Sequence, residues 1–202
     1  MIQINTVDKY NLEDIELKKP NKVEEFYVSN INFTIQTPKL NIDKISKKLC
    51  ILLDENLTNL INSFDEKIIQ LLSENSEEFF EEKFNLEEAE EIYKSSIKYS
   101  KNNAKMNLNI NKKINIYNKR KESLNLEDIS LDNEVICLIK CKKILFYKSH
   151  CEPYWEVVQI KIKEKELNKN NYLFIDDPKD NYQDLDDEEN SDSDIKKIKI
   201  KN

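Results

Sequence analysis

Residues 135–162 read VICLIKCKKILFYKSHCEPYWEVVQIKI, and their patterning decides the fold class. VICLIKCKKILFY (135–147) is almost continuously apolar, as an interior strand would be. YWEVVQIKIK (154–163) sets Val158, Ile160 and Ile162 on one face, with Val157, Gln159, Lys161 and Lys163 on the other. The connection KSHCEP is six residues long, short enough for an antiparallel hairpin.

Upstream segments extend this sheet. In KMNLNINKKINIYNKRK (105–121), Met106, Leu108 and Ile110 alternate with Asn, and Ile114 and Ile116 keep the parity after Lys112-Lys113. That is a half-buried strand. EFYVSNINFTIQTPK (25–39) alternates with one register defect and closes at Pro38. LCILLD (49–54) is a short apolar strand.

Two helices are predicted between these strands. Leu57, Leu60, Ile61, Phe64, Ile68, Leu71 and Leu72 recur at helical spacing and form one apolar stripe. Asn85 and Glu88 then open LEEAEEIYKSSIKY (86–99) as an N-cap and its capping-box partner, with acids in the first turns and Lys94 and Lys98 in the last. Leu86, Ala89, Ile92, Tyr93 and Ile97 supply its buried face.

The organisation expected is a loosely held arm over residues 1–22, one α+β domain over 23–175, and a tail over 176–202. The tail begins DDPKDNYQDLDDEENSDSD, whose charge density cannot offset the entropy of ordering, so residues 176–194 are expected to be disordered; IKKIKIKN at the end reverses the charge.

Composition removes several function classes. The chain has 202 residues and no glycine, so neither a G-x-G-x-x-G nor a P-loop phosphate cradle can be written. Turns with φ > 0 are expected to fall on Asn or Asp. A single histidine argues against His-rich metal sites and most acid–base catalysis. No apolar run reaches the ~18 residues of a spanning helix, and MIQINTVDKYNLED lacks a signal-peptide pattern. Four cysteines then read as reduced thiols of a soluble, intracellular protein that does not meet the membrane.

Cys137, Cys141, His150 and Cys151 invite a zinc reading. On a strand, Cys137 and Cys141 share a face but stand roughly 13 Å apart, too far for two Zn–S bonds; on a helix they would sit one turn apart. Adjacent His150 and Cys151 are poorly spaced as ligands, and His150 cannot easily act as base toward its own neighbour. Glu78, Glu81 and Glu82 read as a solvated face. The expectation is a protein with no metal, cofactor or catalytic residue, its cysteines buried and His150 in a loop.

Charge is distributed unevenly. Residues 1–97 carry 11 Lys against 20 Asp and Glu, whereas residues 98–165 carry 15 Lys and Arg against 8 acids. Clustered cations neutralise phosphates, and aromatics beside them stack on bases at about 1–3 kcal/mol each. The candidate phosphate track is Lys112, Lys113, Lys119, Arg120, Lys140, Lys142, Lys143, Lys161 and Lys163. The candidate stacking residues are Tyr117, Phe146, Tyr147, Tyr154 and Trp155, of which alternation lets only some face outward. The plainer alternative is that lysines guard strand edges while the aromatics fill the core.

The order FTIQTPKL (33–40), NSEEFFEEKF (75–84), the lysine-rich stretch near 98–119, and VICLIKCKKILFYKSHCEPYWEVVQIKI resembles a family of small, uncharacterised proteins from giant nucleocytoplasmic DNA viruses. In that family the closing hairpin carries an aromatic pair, a short loop and a Trp-x-x-x-Gln strand; here Phe146-Tyr147, SHCEP, and Trp155 with Gln159 hold those positions, without the loop glycine. The resemblance spans residues 26–163 and implies an OB-like partial barrel that binds single-stranded DNA or RNA in viral replication or packaging. It places the protein in the host cytoplasm or viral factory, with a replication protein as partner of the acidic tail. A standard OB barrel places its helix after the third strand, whereas two strands precede the helices here. The competing expectation is a virion-associated interaction protein whose basic face meets an acidic partner.

Overall fold

The chain begins with short β1 (Asn5–Thr6) and β2 (Asn21–Val23), then β3 (Phe26–Gln36) and β4 (Leu40–Ile45), whose apolar residues alternate, and β5 (Lys48–Leu52). Helices α1 (Glu55–Phe80) and α2 (Leu86–Ile92) follow, then β6 (Ile97–Ser100), β7 (Asn103–Tyr117), β8 (Ser123–Leu124), β9 (Glu134–Phe146) and β10 (Cys151–Lys163). The computed structural model describes residues 4–100 and 103–163. The expected domain end at 164–175 and the tail at 176–202 lie outside the described residues.

The pairing order closes on itself. β4 pairs β5, β5 pairs β7, β7 pairs β10, β10 pairs β9, and β9 returns to β4 through Leu40↔Val135 and Asn41↔Glu134. Only β7 and β10 run parallel among these five. β3 pairs β9 farther along and joins β4 around Pro38, so the two act as one bent strand. Thr37 stitches the bend: its N–H donates to the Cys137 carbonyl at 2.8 Å and its Oγ1 accepts from the Cys137 N–H at 2.9 Å. Counting β3–β4 as one, β5 two, β7 three, β9 four and β10 five, the order 1-2-3-5-4-1 is that of a five-stranded OB-type barrel. With only two residue pairs joining β4 to β9, it is partially closed.

The helices enter between barrel strands two and three. α1 is capped by Asp54, whose carboxylate accepts from Leu57 N–H at 2.8 Å. Its stripe of Leu57, Leu60, Ile61, Phe64, Ile68 and Leu72 is fully buried and shares one core with the inward side chains of the barrel. Each such side chain contributes about 1.5–3 kcal/mol through removal from water. Phe64 stacks on Phe33 at 5.2 Å and meets Trp155 edge-on at 5.0 Å, which ties α1 to the two strands that flank β9.

Several expectations are corrected. β4 was not anticipated, since LNIDKI is short and follows Pro38. The arm is not loosely held: Ile15 and Leu17 are in the core, Lys18 N–H donates to Ser29 Oγ, and β1 lies parallel to β3 at Ile35–Gln36. The β9–β10 connection is four residues rather than six, and Cys151 begins β10. α2 stops at Ile92, not Tyr99, and Leu86 is exposed. Beyond it, Ser95 and Ser96, weak helix formers, turn toward the Asp65 carboxylate, while residues 97–100 pair with β7.

Among the described residues positive φ falls on Glu24, Glu81 and Lys121 rather than on Asn or Asp. At Lys121 the nearby Asn118 works instead through its side chain, which accepts from the Arg120 and Glu122 N–H groups. Glu81 holds the left-handed C-cap of α1, a place where glycine is usual. Glu81→Gly should therefore stabilise the protein by about 1 kcal/mol in urea unfolding, by relieving the Cβ clash.

Candidate nucleic-acid interface

Two bulges decide which side chains leave the barrel. Lys142 is extra in β9 and Val158 is extra in β10. Trp155, Val157, Ile160 and Ile162 therefore point inward together, and Val158 drops out of the face the sequence alternation had given it. Tyr154, Glu156, Gln159, Lys161 and Lys163 lie on the outer side.

Two of the five expected stacking aromatics are core residues. Trp155 is 3% exposed, packs against Phe64 and Phe33, and donates its indole N–H to Ser96 Oγ at 2.9 Å. Phe146 is 5% exposed, paired with buried Cys151 and 5.9 Å from Phe80. Neither offers a face to a base. Tyr147, Tyr154 and Tyr117 remain. Tyr154 lies under Lys143, whose Nζ stands 5.0 Å from its ring centre.

The expected cations divide into groups. Lys140, Lys142 and Lys143 lie on β9, where Lys142 pairs with Glu156 at 3.7 Å. Lys161 sits opposite Tyr117, with Lys163 beyond it at the far end of β10. Lys112 and Lys113 fall in β7 where its register with β10 jumps from Ile110 to Asn115, and exposed Lys119 and Arg120 occupy the turn after β7. From Tyr154 to Lys163 the strand spans about 30 Å, so these groups do not converge on one point.

Convergence occurs elsewhere. A groove of about 220 Å³ lies among β7, the Lys94–Lys98 segment and the start of β10, with Lys48 of β5 also in its lining, together with Asn107, Asn109, Tyr147 and Tyr154. Lys48 is registered opposite Asn109, whose side-chain N–H donates to the Trp155 carbonyl at 2.8 Å. Glu152 is the acid on its wall. In an OB barrel the outer face of strands two and three, with the loops joining strands one to two and four to five, is the oligonucleotide surface. Here that face is β5 and β7, and the second of those loops, Tyr147–His150, borders the groove through Tyr147.

A buried carboxylate positions the lysine-bearing wall. Asp65 on α1 accepts from Tyr93 Oη at 2.7 Å, Ser95 Oγ at 2.9 Å, and the Ser96 N–H and Oγ at 2.8 and 2.7 Å. Burial raises its pKa above the ordinary carboxylate value, against the lowering effect of these donors. Burial and the adjacent Asp65 charge in turn push the Tyr93 phenol well upward. Lys94 N–H donates to the Cys151 carbonyl at 2.8 Å, tying the same segment to β10. The cysteines are poor nucleophiles: burial pushes Cys137 and Cys151 up to about 12 and raises Cys141 as well.

Lys48, Lys94, Lys98 and the two asparagines were absent from the expected site. Helical spacing assigns Lys94 and Lys98 to the last turn of a helix, and Lys48 follows β4, which the sequence pattern does not reveal. The one available signal was Ser95-Ser96, a poor helix pair between two lysines.

Among the described residues no group of three His, Cys, Asp or Glu side chains forms a metal-ligand set, and no helix is long and apolar enough to cross a membrane. The architecture is thus an OB-type barrel with two inserted helices. Over residues 38–176 the chain matches the Family of unknown function (DUF5871), and it belongs to that family. No curated protein matches it in sequence. Similar solved structures include the single-stranded DNA-binding protein from bacteriophage Enc34 in complex with ssDNA, at 10% identity and a TM-score of 0.43, covering 76% of this chain and 97% of the other. Its C-terminal truncation matches at 11% and 0.44, covering 77% and 98%. Likeness at that level leaves the fold assignment to the strand pairing itself.

Proposed function

We propose that the protein binds single-stranded nucleic acid without strong sequence preference and without catalysis. The observation that carries this reading is the groove over barrel strand three, where three lysines share the lining with exposed Tyr147 and half-buried Tyr154. Lysines there neutralise phosphates, the tyrosines stack on bases, and Asn107 supplies polar contacts that every base can use. Lys143, Tyr117, Lys161 and Lys163 extend the track along the outer wall, as do Lys113, Lys119 and Arg120 at its end. On this reading the activity serves replication or packaging of viral DNA, the setting that the family resemblance implies. The tail, net −9 over residues 176–194, competes with the strand for the lysines.

Titration of a fluorescent oligonucleotide tests this at two salt concentrations. Micromolar or tighter binding is expected, weakening as salt rises, with tighter binding by a 1–175 truncation. Absence of binding by both forms at low salt would sink the proposal. The wide spacing of the cations on β9, β10 and the β7 turn favours a second reading, in which the basic surface meets an acidic protein; that reading predicts the negative result.

A further inference from the structure

Tyr147 separates two cavities. On one side is the lysine-lined groove; on the other is a pocket of about 750 Å³ between the β2–β3 hairpin and the end of β9. Phe146 lies at its base, and Phe26, Tyr27 and Tyr147 form its walls. Its volume lies within the range of sites that take small organic ligands.

Two of its rings are open to solvent. Tyr27 is 49% exposed and Tyr147 40%, whereas Phe33, Phe64, Phe146 and Trp155 are in the core. Tyr147 is held from behind: His150 stacks on it at 4.7 Å, and the Tyr147 N–H donates to the His150 carbonyl at 2.8 Å. Phe26 tilts against the same ring at 5.9 Å. At the rim, Lys22 and Lys148 are balanced by Glu24 and Glu25. A phosphate therefore gains no net attraction here, whereas a flat neutral ring gains stacking area. The phosphates belong next door, with Lys48, Lys94 and Lys98.

Resting on the nucleic-acid reading above, we propose that this second pocket takes one base of the strand lying in the lysine groove, turned over the Tyr147 edge and stacked on Tyr27. It would be a base subsite outside the barrel face that OB-type binding uses.

The test uses the full-length protein and oligodeoxynucleotides of about a dozen nucleotides, carrying 2-aminopurine at each position in turn. One position near an end should show strong quenching on binding. Tyr27→Ala should abolish quenching at that position alone and weaken affinity about 5- to 150-fold, the range for one stacked base. Tyr27→Phe, which keeps the ring, should retain both, and both variants should melt as the unsubstituted protein does. Unchanged quenching and affinity in Tyr27→Ala, alongside loss of binding in a Lys94→Glu, Lys98→Glu variant, would overturn this subsite and leave the groove standing. An equal loss in Tyr27→Phe overturns the stacking role. No binding by the unsubstituted protein at low salt overturns subsite and groove together.

Discussion

Asp65→Ala is expected to lose about 3 kcal/mol of stability, read as a fall of about 6–12 °C in Tm. The substitution removes the acceptor of four hydrogen bonds and leaves the buried Tyr93 hydroxyl and the half-buried Ser96 donors without it. The loss is less than four separate bonds would give, because a carboxylate already penalised by burial goes with them. Asp65→Asn keeps an acceptor and should retain most of the stability. The two variants also separate the pH dependence. A raised folded pKa means that the native state holds this proton more tightly than the unfolded chain does. Wild-type stability relative to Asp65→Asn should therefore fall as pH rises from about 4, the unfolded value, through the raised folded value, then level off. A gap between the two that stays constant across this interval would refute the assignment. Because Ser95 and Ser96 carry Lys94 and Lys98 on either side, Asp65→Ala should weaken oligonucleotide binding too.

Reversing both lysines directly, Lys94→Glu with Lys98→Glu, is expected to lower affinity for a single strand about 10- to 100-fold at low salt. The slope of log K against log salt should shrink by about 1.4, since each lost phosphate contact on a single strand removes about 0.7. Both side chains are exposed and make no ion pair among the described residues, so melting should hardly change. An unaltered affinity and slope would remove the groove from the binding surface.

Much of the architecture could be read from hydrophobic period alone. Met106, Leu108 and Ile116 on β7, the β9–β10 pair, and the α1 stripe were all legible because each buries a regular face. The register defect in β3 was legible as well, and it appears between Asn30 and Phe33. What escaped depended on partners distant in sequence. Helix α2 ends where Asp65, about 30 positions away, draws Ser95 and Ser96 out of helical geometry. Trp155 shares the inward face of Ile160 and Ile162 because Val158 is an extra residue in β10, set by its pairing with β9. Local pattern carries no record of either event. The site suffered most, since lysines on a strand look alike whether they converge or disperse. Convergence on Lys48, Lys94 and Lys98 was set by the barrel closing.

That closure also fixes an order of events during synthesis. β9 is the shared partner of β3, β4 and β10, and Thr37 meets Cys137 across 100 positions of chain. At about 5–20 residues per second, β3 emerges some 5–20 s before β9 arrives to pair with it. Throughout that interval Phe33 and Ile35 lack their β9 partner, and the long α1, built from local contacts, forms first. The nascent chain thus spends its most aggregation-prone seconds waiting for the segment VICLIKCKKILF, and destabilising that strand should cost yield in cells before it costs affinity in vitro.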